Sequence, residues 1–418
     1  TAAGTLLLRD GRISNLKFSN SSNTDDWTKP YPAAPWQLQE YMNSRVLIFR
    51  DTNWFTNYPT AARYAEQLYS YSSNHSVDGV IAFDQQMLVE VLRVTGPVAV
   101  EGVDYPIDAN NVISYMRAAK TPTPEEAASP EWNNKAFINK ITRSLMDKIF
   151  RGDVELEQLA TLFLKMLNEH HVLLQADNAV ITSVLEKYHW DGAVRPTGGD
   201  FLMVVDTNVG FNKTNAVVTS SQVYEVDLTK AISPKASLTV EHTNKAIGID
   251  ACKHWEKTRA EGEKNYPIQD CYWNYLRVYT SRGTFLLAAT PQSIPADWMI
   301  LKKSPPAQVD VLDEEIDGVQ GFGTLQVVPA SDSLTTHFQF LLPPDVVQAG
   351  PAAGQWLYHL KVQKQPGTLA VPITIRIQLP GNATLIQGPA GAVAEGSGIL
   401  LQTDLRTDLE IEVLYRTP

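Results

Sequence analysis

Over the first 210 residues, short apolar runs alternate with stretches whose apolar residues recur at helical spacing; from Phe201 onward the repeat becomes two. The opening LLLRDGRISNLKF predicts a hairpin with Asp10-Gly11 as its two-residue turn. VLIF (46–49) and VDGVIAF (77–83) are short apolar runs suited to buried strands. Between them a helix is expected from Pro59, at the first helical position, to about Tyr71. Asp84 is placed to cap the helix QQMLVEVLRVT, which Gly96-Pro97 would end. Asp108 is expected to cap a further short helix, and 134–150 and 153–169 read as an amphipathic helical pair. The three prolines of TPTPEEAASPEW (121–132) mark a surface loop or insertion.

Period-two segments then follow: FLMVVDTN, NAVVTSSQVYEVDL, ASLTVEHTN, YLRVYTS and TFLLAAT. A proline-rich break from Pro291 to Pro306 separates them from TLQVVPA, THFQFLLP, WLYHLKVQKQ, VPITIRIQLP and LEIEVLYRTP. The expected organisation is an α/β domain over 1–175, a β-rich domain over 176–300 and a C-terminal β-sandwich of immunoglobulin-like type over 301–418.

Composition narrows the function classes. With 44% hydrophobic and 19% charged residues over 418 positions, the chain can fill several cores, which excludes a largely disordered protein. A net charge of −11 argues against nucleic-acid partners and against an anionic lipid surface. No run of eighteen apolar residues is present, so no membrane span is expected. The chain opens at Thr1 without an initiator Met or a basic leader, and is expected to start after processing or trimming. Cys252 and Cys271 flank a polar stretch; they read as one disulfide closing that insertion, against the alternative of two buried thiols. Four glycosylation-type sequons begin at Asn20, Asn74, Asn212 and Asn382. These features lean towards an extracellular protein.

Catalytic motifs are scarce. There is no G-x-S-x-G elbow, no phosphate-binding G-x-x-x-x-G-K-[ST], no H-E-x-x-H and no cysteine pair at zinc spacing. GVQGFG (318–323) lacks the strand-to-helix setting of a dinucleotide fingerprint. His170-His171 could ligate a metal, but a cationic preference at a helix C-terminus accounts for them more simply. Arg50 and Asp51 follow a strand-like run and precede a helix, where an Arg could hold a phosphate and an Asp a divalent metal. The competing account is a structural pair ordering the loop, with Trp54 and Tyr58 packed beneath. The acidic run Asp310, Asp313, Glu314, Glu315 and Asp317 reads as a solvated linker before it reads as a calcium site. Trp27, Trp36 and Trp54 could be stacking platforms for a glycan, although core packing is the simpler account of each.

The blocks DTNWFTNYPTAA, VDGVIAFD, VTGPVAV, GDFLMVVDTNVGFNKTN, NYLRVYTSRGTFLL and HLKVQKQPGT resemble, in order, those of a family of bacterial envelope proteins catalogued as domain of unknown function 4012. Members usually carry a membrane segment and a helical region upstream of these blocks. A second similarity, through FRDT, VDGVIAFDQQMLVEVLRVTGPVAV and NNVISYMR, is to the LytR–CpsA–Psr phosphotransferases, which move glycopolymers from a polyprenyl-pyrophosphate carrier to the cell wall. That resemblance implies an α/β fold for the N-terminal part, with Arg50 and Asp51 matching the enzymes' Arg-Asp pair and Arg117 the Arg after their Tyr, and with magnesium as cofactor. Where those enzymes place further arginines, this chain has AAKTPTPEEAASPEWNN. Two cations are few for a pyrophosphate. The expectation is therefore a non-enzymatic extracellular structural protein that self-associates into an oligomer or filament, with no cofactor. The alternatives are a wall-type phosphotransferase and a glycan-binding adhesin.

Overall fold

The computed structural model describes residues 2–119, 136–230, 232–249, 251–254 and 268–418. The loop expected over 121–132 and most of the polar stretch between the cysteines lie outside these residues. The chain divides into two compact units. Most of residues 1–193 form the first, while the second takes the short helix α1 (Trp36–Met42) together with most of 194–418.

The first unit mixes helices and strands. β1 (Ala2–Arg9) and β2 (Arg12–Asn20) form the expected hairpin, with Arg9 paired to Arg12. Asp10 and Gly11 have φ of 50° and 73°, the positive values that a right-twisted two-residue turn demands. α2 (Tyr58–Ser73) carries Pro59 in its first turn, as its sequence requires. The VLIF run does not become a strand. Val46 makes one bridge to Ala33, Leu47 and Ile48 are buried in succession, and a 3-10 turn occupies Phe49–Trp54. Two consecutive buried side chains do not fit the alternation of a strand, and Asp25 Oδ1 accepts the Phe49 N–H at 2.8 Å, which starts the turn instead.

β3 (Gly79–Phe83) does form, and pairs antiparallel with β4 (Val172–Ala176) in a sheet of two strands. α2 covers one face, where Tyr58, Ala61 and Ala62 meet Val80, Ala82 and Leu173. Ile81 and Phe83 stay 51% and 52% exposed, so this is not the fully buried strand its composition suggested. Asp84 caps α3 (Gln85–Thr95), accepting from Gln86 N and Met87 N at 2.8 and 3.2 Å, and Gly96 ends it. α4 (Val112–Ala118) differs in detail: Asn111 takes the cap position, and Asp108 binds Asn110 N and Asn111 N one turn earlier. α5 (Ala136–Phe150) and α6 (Leu156–Asn168) correspond to the expected amphipathic pair, and each packs against α3. α7 (Ala179–Lys187) follows β4.

The second unit holds β5 (Asp200–Asn208), β6 (Val218–Asp227), β7 (Lys235–Asn244), β8 (Tyr272–Ser281) and β9 (Phe285–Ala289). It continues with β10 (Asp310–Leu312), β11 (Val319–Val328), β12 (Ser333–Leu341), β13 (Val347–Ala349) and β14 (Gln355–Gln363). β15 (Val371–Gln378), β16 (Thr384–Gln387), β17 (Val393–Glu395), β18 (Gly398–Leu405) and β19 (Leu409–Arg416) complete it. One sheet runs β10-β11-β8-β5-β14-β19-β16, with β13 also on β14; the other runs β17-β18-β15-β6-β7-β12-β9. β5 and β14 pair in parallel, as do β6 and β15, so residues on either side of position 300 share both sheets. The segments expected as separate blocks, 176–300 and 301–418, thus supply strands to a single two-sheet body.

Alternation places one face of each sheet in a common interior. Leu202, Leu276, Phe322 and Leu360 come from the first sheet and Tyr224, Leu238, Phe338 and Ile375 from the second. β8 is buried on both faces: on its outer side Tyr41 of α1 meets Tyr275 with rings 5.6 Å apart, His254 covers Trp273, and Glu314 meets Arg277 and Tyr279. Cys252 and Cys271 form the disulfide at a Cα separation of 5.5 Å, and both are buried. His254 beside it is stacked on Trp273 at 4.4 Å and bonds the Val209 carbonyl, while burial lowers its pKa to about 4.

The interior also holds a carboxylate. Asp200 Oδ2 accepts from Tyr224 OH of one sheet at 2.8 Å and from Tyr358 OH of the other at 2.6 Å. Burial outweighs these bonds and raises its pKa from 3.8 to about 6.

Two outcomes are expected. Replacing both cysteines by Ser should lower the urea unfolding free energy by about 3 kcal/mol, the entropy regained by freeing a loop of 19 residues. Because the folded form of Asp200 binds its proton more tightly than the unfolded chain, its charge costs stability above pH 6 and the cost is relieved as pH falls towards 4. Denaturant titrations should show this slope, roughly 3 kcal/mol in all, and Asp200→Asn should abolish it.

Candidate functional site

Arg50 and Asp51 sit in the 3-10 turn Phe49–Trp54, held by the Asp25 bond to Phe49 N and by Thr52 Oγ1 donating to Phe49 O at 2.9 Å. Arg50 Nε lies 3.6 Å from Asp51 Oδ1, with both side chains partly exposed. Asp25 is a second acid beside Arg50: its burial raises its pKa, against the opposing pull of the Phe49 N–H and of the Arg50 charge. Its Oδ2 is buried without a hydrogen-bond partner among the described residues. Trp54 and Tyr58 are buried beneath, and Tyr58 OH donates to the Val80 carbonyl at 3.2 Å.

Arg117 is not brought to this turn. It is exposed near the end of α4, a helix whose Val112 and Tyr115 pack in the cluster around Ile107 and Ile141. Among the described residues, no ion pair links Arg117 to Asp51, and no group of three His, Cys, Asp or Glu residues is placed to hold a metal ion. One guanidinium facing two carboxylates has little charge left for a pyrophosphate.

This stretch, from the hairpin through α4, is the part of the chain with a recognised sequence signature. Residues 1–120 match the family model described as Protein of unknown function (DUF4012). The DUF4012 match contains Arg50, Asp51 and Arg117, and leaves most of the two-sheet unit outside it. Among solved structures, a candidate nutrient binding protein from Legionella pneumophila is similar at 10% identity and a TM-score of 0.30, over 52% of this chain and 71% of that one. The curated proteins contain no match.

Within the DUF4012 segment, the hairpin has two unlike edges. On β2, Asn139 of α5 imitates a neighbouring strand: its Oδ1 accepts from Phe18 N at 2.7 Å and its Nδ2 donates to Phe18 O at 2.8 Å. On β1, no described strand pairs with the outer side. Leu6 and Leu8 there are 39% and 59% exposed. A long apolar edge strand of this kind is a template for strand addition.

Other candidates from the sequence resolve individually. Trp54 is core at 5% exposure, but Trp27 and Trp36 are surface residues at 66% and 48%, so core packing does not hold for those two. Trp27 leans on Tyr31 and Trp36 on Tyr41, each pair within its own unit. His171 does not simply face a helix terminus: its Nδ1 lies 2.6 Å from Asp84 Oδ2, tying β4 to the cap of α3. Asn74 and Asn382 are exposed, Asn20 is half-buried with its side-chain oxygen accepting from Ser22 N, and Asn212 Nδ2 is committed to the Cys271 carbonyl at 2.9 Å.

The acidic run is only partly a solvated linker. Asp317 is exposed, whereas Asp310 accepts from Tyr275 OH at 3.0 Å. Glu314 folds inward, taking Arg277 Nη1 at 3.0 Å and Tyr279 OH at 2.5 Å. Arg277 is 1% exposed and also donates to Thr207 Oγ1. A buried guanidinium needs such a counter-charge. Sequence reasoning missed this pair, whose only local signal was an Arg amid the aromatic strand YWNYLRVYTS. Glu314→Ala should therefore cost about 3 kcal/mol in urea unfolding, well beyond an ordinary surface ion pair, with Glu314→Gln costing less.

Proposed function

We propose that this chain is a non-enzymatic structural protein of a bacterial cell surface that associates with copies of itself, the outer edge of β1 providing the contact. The observation that carries the reading is the exposed apolar character of that edge: among the described strands β1 pairs with β2, and Leu6 and Leu8 are exposed. Antiparallel pairing of two such edges satisfies backbone groups and buries leucine at one stroke, and a two-fold axis closes the contact. The buried disulfide supports an oxidising, extracellular setting, and Asn74 and Asn382 are accessible for a glycan. No helix among the described residues is long and apolar enough to cross a membrane. In this reading the N-terminal unit is a LytR–CpsA–Psr-like scaffold and the two-sheet unit an immunoglobulin-like sandwich, and both serve as framework.

The alternative reading, a glycopolymer phosphotransferase using Arg50, Asp51, Arg117 and magnesium, has less support. It needs converging positive charge, and Arg50 faces Asp51 and Asp25 while Arg117 lies elsewhere.

Light scattering across a concentration series tests the reading. The wild-type protein should exceed the single-chain mass, and Leu6→Lys with Leu8→Lys should return it to one chain while circular dichroism stays unchanged. A wild-type monomer at every concentration, or a variant that assembles as before, would overturn it.

A further inference from the structure

Unlike the other charged groups described above, those on the outer face of the β17-β18-β15-β6-β7-β12-β9 sheet gather around a hollow of about 370 Å³. Its position follows from register. Arg376 of β15 is opposite Glu225 of β6, Glu225 is opposite Ser237 of β7, and Ser237 is opposite Gln339 of β12. One row of polar side chains thus crosses four strands. A second row, two residues along, places Asp227 opposite Lys235. On one side Glu395 of β17 reaches the hollow, where Arg376 Nη1 lies 3.3 Å from Glu225 and Arg376 Nε 3.3 Å from Glu395. On the other side Leu287 of β9 supplies an apolar wall.

We propose that this hollow is a binding site for a neutral saccharide of one or two rings. The site is independent of the β1 edge and of the self-association argued from it. Three observations select the ligand class. First, Glu225, Asp227 and Glu395 against Lys235 and Arg376 leave the lining one charge negative, which disfavours an anion. Second, Arg376 already bridges two of the acids, and no metal-holding group occurs among the described residues, which leaves little for a free cation. Third, Lys235 and Gln339 have side chains that make no hydrogen bond or ion pair with a described residue, so a donor and an amide stand ready beside carboxylate oxygens that Arg376 holds in place. Alternating donors and acceptors are what a ring of hydroxyls requires. Neighbouring strands are spaced by about 4.8 Å, close to the span of a sugar ring, so successive groups in a row can meet successive hydroxyls. Leu287 can take the ring's C–H face. The volume lies in the range of small-molecule sites.

The test is a glycan array read with the full chain, followed by calorimetric titration with the neutral disaccharides it identifies and with a uronic-acid disaccharide as the anionic probe. At least one neutral glycan should bind, with the anionic probe weaker. Arg376→Ala should lower affinity by about tenfold or more, since it releases two carboxylates as well as a donor, and Gln339→Ala by about threefold. Ser237→Leu, which fills the hollow without changing charge, should abolish binding, and it carries the test if Arg376→Ala does not fold. A blank array, binding confined to anionic glycans, or an affinity unchanged in Gln339→Ala and Ser237→Leu would overturn the proposal.

Discussion

The interior between the two sheets sets the terms for the larger unit: strands distant in sequence meet there, and each polar group they carry inward must find its partner inside. Asp200 shows the constraint most plainly. Its carboxylate starts β5, yet its partners Tyr224 and Tyr358 come from β6 of one sheet and β14 of the other. The parallel pairings β5·β14 and β6·β15 bring those segments together. Lys361, three residues along β14 and on the opposite face of that sheet, is buried as well and lies 3.7 Å from Asp408. A misregistered β14 would strand Tyr358 and Lys361 at once, since a slip of one residue reverses every side chain. Buried polar groups here specify the pairing more than they strengthen it.

The same requirement decides which parts of the fold were legible in the sequence. Asp10-Gly11, Pro59, Asp84 and Gly96 act on backbone within a few residues of themselves, and each stands where its chemistry put it. The period-two segments became β5 to β9 and most later strands; β6 and β7 bury one face in alternation, whereas β8 is buried on both. Which strands pair was not legible, since nothing local ties residue 200 to residue 360. The division near 300 followed a proline-rich stretch, and proline there breaks the strand without separating the core. VLIF misled for a related reason. Its apolar character fits burial, but the Asp25 carboxylate 24 residues away turned it into a 3-10 entry.

Candidate chemistry divides along the same line. Arg50 and Asp51 are neighbours in sequence and in space, so their pairing could be weighed early; Asp25, which changes the charge balance at that turn, could not. Glu314 looked like one acid in a solvated run because Arg277 lies 37 residues upstream on another strand. Arg376, Glu225 and Gln339 lie on three strands far apart in sequence, and only the register shows that they form a row.

The distribution of positive charge gives the functional argument its direction. Arg50, Arg277 and Arg376 each lie against a carboxylate, so three of the chain's guanidinium groups are committed to internal balance. A phosphate-handling site needs the reverse, cations converging on a space without acids. Where charges are neutralised in pairs at a surface, they instead present fixed donors and acceptors of both signs, a poor host for an ion and a good one for a neutral polar ligand or for another protein's backbone. The proposed self-association would use the backbone form of that recognition at the edge of β1, and the proposed saccharide site the side-chain form on the outer face of the β6-containing sheet.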